Sequence, residues 1–373
     1  MVKIFPLIAS LVSLPLILAW LLAGTSVNWE ELALGKETFS PHVLLQDGTR
    51  VYAKDGDRAI HCESLVNCFE KYDRNGRTVL WLGNSQLHAI NQFKETDRLA
   101  SEILYHQLGE DGVDLLTVSH PSANLQEHYV ISEYAKARLN LNAVVVGIVF
   151  DDMREFGVRN DVANVLGDSK VFSALNETFI GKKILKRSQE VLDIEDEYGG
   201  LNKTQQDETE QILNRELTKV SDTWGRRPYL RGLVFNAMYK TRNYVFDITP
   251  STKRKVIRPR YVDNWSALEQ LIESYSSSGI QVYLYVAPIR DDVEVPYVLD
   301  EYEKFKREVE SLALRKNVDF RNFETIVPAE FWGVKDSTAL DGGPELDFMH
   351  YQYGGHKILS SAVYEMLQLR EDL

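Results

Sequence analysis

The sequence predicts an α/β fold: a doubly wound parallel sheet of about five strands with a helical insertion, preceded by one transmembrane helix. Three observations predict it. Short apolar runs alternate with segments of helical periodicity from about residue 77 to the carboxyl terminus. A charged stretch at about 155–262 interrupts that alternation, and an uncharged run occupies residues 4–23. Alternating strands and helices indicate right-handed crossovers and hence a parallel sheet.

The predicted strands are apolar along most of their length, which is typical of parallel strands that helices cover on both faces. They lie at 78–83, 113–119, 142–150, 280–287 and 318–322. Helices are predicted between and after them, at 86–108, 125–137, 265–276, 296–315 and 354–369. The insertion follows the third strand, and its periodicity is mostly helical.

The amino-terminal apolar run divides the chain into three parts. Its length gives a helix of about 30 Å, enough to cross a bilayer. We therefore predict an anchor at 1–24, a juxtamembrane lead-in at 25–76 and the α/β domain at 77–373. Lys3 precedes the run and acidic residues follow it, which predicts a body in the periplasm or outside the cell. The alternative is a cleaved signal peptide.

Composition narrows the classes of partner. The net charge of −13 argues against nucleic acid, because neutralising phosphates requires a basic surface. No glycine-rich phosphate loop occurs, and no cofactor or metal is predicted. Cys62 and Cys68 are the only cysteines. In an oxidising compartment they can close a small disulfide loop, and the alternative is two free thiols.

A serine follows the first predicted strand. Ligands of such sheets bind beyond the carboxyl ends of the strands, so Ser85 in Gly83-Asn84-Ser85-Gln86 lies where a substrate is expected. Backbone N–H groups of the following helix start can hold an oxyanion. Taken alone, Ser85 is better explained as a helix cap.

Asp347 and His350 lie on a loop between the last predicted strand and the last helix. A serine hydroxyl needs a general base, which a histidine supplies near neutral pH, and a carboxylate fixes the tautomer of that histidine. Because both motifs lie at the carboxyl edge of one sheet, the fold can bring Asp347, His350 and Ser85 together. We predict that they form a catalytic triad.

These blocks resemble the SGNH, or GDSL-like, hydrolases. The family has a Gly-Asp-Ser turn after its first strand, where this chain has Asn84 in place of Asp, and a D-x-x-H block before its last helix. The resemblance covers roughly residues 75–150 and 265–370. It implies a flavodoxin-like sheet and a serine triad of Ser85, Asp347 and His350.

The oxyanion blocks of that family depart from the pattern here. The loop after the second strand lacks the family's glycine, so Ala123 and Asn124 are the candidate donors, together with the backbone around Ser85 and its neighbours Gly83 and Asn84. The third block has no asparagine. In its place stand Asp151 and Asp152, followed by Arg154, and these residues are expected either to position substrate or to form a buried ion pair.

The departures resemble an anchored branch of the superfamily, similar to the D-alanyl-transfer and alginate O-acetylation proteins. That resemblance implies acyl transfer from an acyl donor to a cell-surface or secreted polysaccharide, beside a multi-spanning O-acyltransferase and with the membrane contacted through residues 4–23. Two other functions stay open. One is a non-catalytic scaffold subunit of an export or acylation complex, and the other is a secreted carbohydrate esterase.

Overall fold

The computed structural model of the chain describes residues 77–88, 97–198, 252–335 and 343–368, together with short pieces at 43–44 and 50–52 and single positions elsewhere. The predicted anchor at 1–24 lies outside the described residues, as do Cys62 and Cys68 and the disulfide proposed for them. Among the helices that the structure describes, none is long and apolar enough to cross a membrane.

Five parallel strands form the centre of a seven-stranded sheet, in the order β1-β2-β4-β3-β5-β6-β7. The strands are β1 Val43–Leu44, β2 Arg50–Tyr52, β3 Arg77–Gly83, β4 Val113–Ser119, β5 Leu141–Ile148, β6 Gln281–Val286 and β7 Asp319–Asn322. Strands β3 to β7 are the five that the sequence predicts, and their spatial order is that of a flavodoxin-like sheet. The short strands β1 and β2 extend the β4 edge in antiparallel fashion.

Eight helices of the described chain surround the sheet. They are α1 Ala100–Glu110, α2 Leu125–Arg138, α3 Asn160–Ala163, α4 Ser169–Asn176, α5 Phe179–Tyr198, α6 Arg258–Ser277, α7 Leu299–Lys316 and α8 Tyr353–Gln368. Helix α1 packs with α8, whereas α2 packs with α6, which also contacts α7. Right-handed crossovers on either side of the switch point place these two groups on opposite faces. Helices α3 to α5 lie in the predicted insertion.

The centre of the sheet is tightly packed. The side chain of Trp81 on β3 is fully buried, and its Nε1 donates a hydrogen bond to the hydroxyl of Tyr285 on β6 at 3.1 Å. Tyr285 crosses over Gly147 on β5, where a Cβ atom would lie 2.2 Å from the tyrosine hydroxyl. Only glycine leaves room for this crossing, which locks β3 and β6 across the strand between them.

The first helix begins later than predicted. The sequence suggests a helix at 86–108, but Ser85–Leu87 forms a 3-10 turn and α1 starts at Ala100. Leu99 offers no capping side chain, and the Ala100 N–H donates instead to Nδ1 of His356 on α8. The start of this helix is therefore set by a tertiary contact.

Asp347 and His350 lie in a strand and not in the loop that the sequence predicts. Strands β8 Trp332–Lys335 and β9 Glu345–Tyr351 form a separate antiparallel pair. Trp332 faces Tyr351 and Val334 faces Leu346, so one residue of β8 lies opposite four residues of β9, at 347–350. This wide bulge lets two side chains three residues apart point the same way, which regular strand alternation forbids.

Candidate active site

Ser85 begins the 3-10 turn that follows β3, at the carboxyl edge of the sheet. Its side chain is partly exposed, whereas Asn84 and Gln86 on either side are buried. Among the described residues, the Ser85 N–H has no protein acceptor, as expected for the first residue of a helical turn. The turn thus combines a partly exposed serine with one backbone N–H that has no protein acceptor.

The bulge of β9 brings a histidine and a carboxylate to this serine. Nε2 of His350 lies 2.9 Å from Oγ of Ser85, and Nδ1 of His350 lies 2.9 Å from Oδ2 of Asp347. The side chain of His350 is 22% exposed and that of Asp347 only 3%. The predicted three residues therefore meet, although 265 residues separate the serine from the histidine along the chain.

The carboxylate also builds the bulge that carries it. Oδ1 of Asp347 accepts hydrogen bonds from the N–H groups of Met349 at 2.8 Å and His350 at 3.1 Å. With Oδ1 occupied by backbone donors, Oδ2 accepts a hydrogen bond from the Nδ1–H of His350, which leaves Nε2 unprotonated and facing the serine hydroxyl. This is the tautomer that a general base requires.

Asn84 and Asp152, both predicted site candidates, contact each other beside the serine. Oδ1 of Asn84 accepts from the Gln86 N–H at 3.0 Å, and Nδ2 donates to the two oxygens of Asp152 at 3.3 and 3.4 Å. Asp152 also accepts from the Val149 N–H at 2.8 Å. Burial raises the pKa of Asp152 well above its usual value, although both donors act in the opposite direction. The pair holds the serine turn against the turn after β5.

Gly83 contributes space and a carbonyl group. A Cβ atom at this position would lie 2.3 Å from Cδ1 of Leu87, so a side chain cannot be accommodated without moving the serine turn. The carbonyl oxygen of Gly83 lies 3.2 Å from Nε2 of His128 on α2. Burial lowers the pKa of His128 to about 3, so this ring is neutral at physiological pH.

Asn124, which the sequence suggests as an oxyanion donor, is the cap of helix α2 in the structure. Its Oδ1 accepts from the N–H groups of Gln126 and Glu127, its N–H donates to Glu127, and its Nδ2 donates to the carbonyl of Gly157 at 2.9 Å. Ala123 beside it is fully buried. A capping box at the start of α2 therefore consumes the polar groups of this loop.

A buried network holds the same loop. Oε2 of Glu127 lies 2.8 Å from Nε2 of His120, and Oε1 accepts from the backbone and side chain of Arg159 at 2.9 Å. Burial by itself raises the pKa of Glu127, but His120 and Arg159 outweigh it and lower the pKa to about 2. The carboxylate is thus charged and structural.

Asp151 and Arg154 form a partly exposed ion pair in the structure. Their side chains lie 2.7 Å apart, Arg254 pairs with the other oxygen of Asp151, and the hydroxyl of Tyr297 donates to that oxygen at 3.1 Å. Asp151 therefore ties the turn after β5 to the segment preceding α6.

In the part of the chain that the structure describes, no group of three His, Cys, Asp or Glu residues could hold a metal ion.

No family model matches the sequence, and no curated protein matches it. Several solved structures are similar in fold. A catalytic mutant of the acetylxylan esterase Axe2 from Geobacillus stearothermophilus shares 11% identity over 79% of this chain and 95% of its own, with a TM-score of 0.37. A GDSL-like lipase from Bacteroides thetaiotaomicron shares 10% identity over 79% and 89%, with a TM-score of 0.34.

A third similar structure is a carbohydrate esterase family 2 enzyme with a carbohydrate-binding domain, from Myceliophthora fergusii. It shares 10% identity over 80% of this chain and 68% of its own, with a TM-score of 0.35. These similar structures are esterases and a lipase. TM-scores of this size do not decide a reaction, so the chemistry rests on the atoms of the site itself.

Proposed function

We propose that this chain is a serine-dependent esterase or acyltransferase with Ser85 as nucleophile, His350 as general base and Asp347 as the group that orients it. The observation that carries the proposal is the continuous pair of 2.9 Å contacts from Asp347 through His350 to Ser85. Ser85 and His350 are partly exposed, so an acyl group can reach the hydroxyl from solvent.

The proposed reaction has two steps. In the first, Oγ of Ser85 attacks the acyl carbonyl while Nε2 of His350 takes its proton, and that proton then goes to the departing alkoxide. In the second, His350 removes a proton from an acceptor hydroxyl, whose oxygen attacks the acyl-serine and takes the acyl group from Ser85 Oγ. The proton passes back to Ser85. A water acceptor gives hydrolysis, and a polysaccharide hydroxyl gives transfer.

The Ser85 N–H is the backbone donor that supports an oxyanion role. The side-chain amides of Asn84 and Asn124 each hold a contact inside the fold. Removing one donor from an oxyanion hole costs about 10²–10³-fold in kcat, so a hole that rests mainly on the Ser85 N–H should turn over simple esters slowly. The same donor serves the attack of water and of an acceptor hydroxyl, so this slowing does not choose between hydrolysis and transfer.

The finer part of the proposal is location and partner. An uncharged run of twenty residues at 4–23 supports an anchor that holds the domain on the outer face of a membrane. A membrane-bound domain of this kind would take its acyl group from a multi-spanning O-acyltransferase and pass it to a cell-surface or secreted polysaccharide. These statements extend the resemblance of the sequence to the anchored SGNH-like proteins.

A fluorophosphonate probe tests the nucleophile. The full chain, solubilised in detergent, is expected to be labelled once per molecule, and labelling is expected to disappear in Ser85→Ala and to slow by about 10³-fold or more in His350→Ala. Ser101→Ala removes a buried serine of α1 and serves as the control. Labelling that persists in Ser85→Ala would refute the assigned nucleophile.

A second assay separates transfer from hydrolysis. The chain is given an activated acetyl ester together with sugar oligomers, and mass spectrometry measures acetylated oligomer against free acetate. Acetylated oligomer supports transfer, whereas free acetate alone supports a carbohydrate esterase. A folded chain that neither labels nor releases acetate would favour the scaffold role.

A further inference from the structure

The side chain of Gln86 lies buried directly behind the nucleophile, and the reaction proposed above does not use it. Its Nε2 donates to the carbonyl oxygens of Pro288 at 2.6 Å and Met349 at 3.0 Å. The residue is 4% exposed, and its backbone N–H donates to Asn84. A primary amide carries two N–H donors, and here each of them has a carbonyl acceptor.

These two hydrogen bonds join three segments that are distant in sequence. Gln86 follows Ser85 in the nucleophile turn, Pro288 lies in the segment after β6, and Met349 precedes His350 in the bulge of β9. The segment after β6 is itself fixed, because the Ile289 N–H donates to Glu324 and the Arg290 N–H donates to Phe348. Gln86 therefore ties the serine turn both to a fixed point and to the strand that carries the histidine.

The tie is needed because the two catalytic groups belong to different sheets. Ser85 follows a strand of the main sheet, whereas His350 lies on β9, which pairs only with β8 in the described structure. Among the described residues no strand ladder connects β3 to β9, and the Arg290–Phe348 hydrogen bond ties the hairpin to the segment after β6 and not to the serine turn. The amide of Gln86 spans this gap one residue away from each reacting side chain.

We infer that Gln86 is a positioning residue, which holds His350 Nε2 against Ser85 Oγ by bonding to the Met349 and Pro288 carbonyls. The inference rests on the proposed function, because it concerns the alignment of the same two groups. A neutral double donor is the chemistry that two converging carbonyl oxygens require. A carboxylate would face them with oxygens, and an alkyl group would leave both without a partner.

Two substitutions separate alignment from folding. Gln86→Leu keeps the approximate volume and removes both donors. Gln86→Glu keeps the shape, repels the two carbonyls when ionised, and regains one O–H donor when protonated. Misplacement of reacting groups by about 1 Å costs on the order of 10²-fold in rate, so each variant is expected to lose about 10²-fold in kcat at pH 8 with little change in KM. The loss in Gln86→Glu should shrink at pH 5.

Gln126 on α2 supplies a matched control. It is 1% exposed, its Nε2 donates to Asn264 at 3.2 Å, and its Oε1 accepts from Arg187 at 3.3 Å. Gln126→Leu therefore removes the hydrogen bonds of an equally buried glutamine outside the triad. It is expected to lower Tm while keeping kcat per folded molecule within about twofold of wild type.

The experiment measures kcat, KM, the rate of fluorophosphonate labelling and Tm for the full chain in detergent. The inference is supported if Gln86→Leu loses kcat far beyond Gln126→Leu at a similar Tm, and if Gln86→Glu recovers toward acid pH relative to wild type. Equal kcat per folded molecule in Gln86→Leu and Gln126→Leu would overturn it. If Gln86→Leu does not fold, Gln86→Glu and its pH profile decide.

A structural readout keeps this result distinct from failure of the proposed function. A wild-type chain without activity, or activity that survives in Ser85→Ala, would count against the proposed triad and not against the hydrogen bonds of Gln86. A crystal structure of Gln86→Leu then decides the tie directly. The inference predicts that Ser85 Oγ and His350 Nε2 move apart beyond hydrogen-bond distance, and an unchanged separation overturns it.

Discussion

Replacing Asp347 by asparagine should remove the base while leaving the bulge intact. The Oδ1 of an asparagine can still accept from the N–H groups of Met349 and His350, at the 2.8 and 3.1 Å that Asp347 shows. Its Nδ2 would then face His350 Nδ1, where Oδ2 now lies at 2.9 Å. Nδ1 must accept that hydrogen bond, so the ring carries its proton on Nε2 and cannot take one from Ser85.

The wrong tautomer costs about 10⁴-fold in kcat, which corresponds to about 5.5 kcal/mol of transition-state stabilisation. Stability should hardly change, because the two backbone hydrogen bonds persist. Asp347→Ala instead loses those bonds as well as the contact to His350, and a net value of about 1 kcal/mol for each bond predicts a loss of about 2–4 kcal/mol in the free energy of unfolding.

The assay compares labelling rate, acetyl-ester turnover and urea unfolding of wild type, Asp347→Asn and Asp347→Ala. The expected pattern is an inactive, stable asparagine variant beside an inactive, destabilised alanine variant. An asparagine variant that keeps a tenth or more of wild-type kcat would refute the tautomer reasoning. An alanine variant as stable as wild type would show that Asp347 does not build the bulge.

Three further predictions concern stability. Burial lowers the folded-state pKa of His128 to about 3. As the pH falls from about 6.5, the unfolded chain is protonated at this residue before the folded one, so the free energy of unfolding should fall by up to about 1.4 kcal/mol per pH unit. His128→Gln should flatten that slope in urea titrations at about pH 4–6. Gly147→Ala should lower the free energy of unfolding by about 1–3 kcal/mol, since its Cβ would lie 2.2 Å from the hydroxyl of Tyr285. Gly109→Ala, in open space on α1, should raise it by about 0.5–1 kcal/mol. Equal melting temperatures of the two variants would contradict this prediction. Asn84→Asp should destabilise the folded chain more at pH 8 than at pH 5, because it places a second carboxylate beside Asp152. Adding Asp152→Asn should restore a hydrogen bond between the two side chains. Unfolding of both variants at the two pH values checks this prediction.

Local patterns predict the parts of this fold that local chemistry determines. The apolar run of β5 at 141–148 is typical of a strand that is buried on both faces, and the structure confirms that strand. The meeting of Ser85 with Asp347 and His350 follows from topology once the five strands are placed. Its use in catalysis stays a prediction.

Long-range contacts determine what the sequence does not show. The start of α1 depends on His356, which is 256 residues away from Ala100, so no local signal at residue 100 announces it. The sequence suggests Asn124 as a donor in a substrate loop, and nothing local shows that its Nδ2 donates to the carbonyl oxygen of Gly157. Strands β1, β2 and β8 have two to four residues each, too few for an alternating pattern to stand out.

The bulge of β9 makes the relative orientation of Asp347 and His350 depend on the number of residues between them. Four residues fit where the partner strand has one, and the surplus is what turns both side chains toward the serine. Deleting Phe348 or Met349 would leave Asp347 and His350 two positions apart, a spacing at which an unbulged strand already points both side chains the same way. It would also remove a buried side chain and the carbonyl that accepts from Arg290 or from Gln86. The length of the bulge is thus coupled to the attachment of the hairpin to the rest of the fold, so a deletion at 347–350 should impair stability as well as activity.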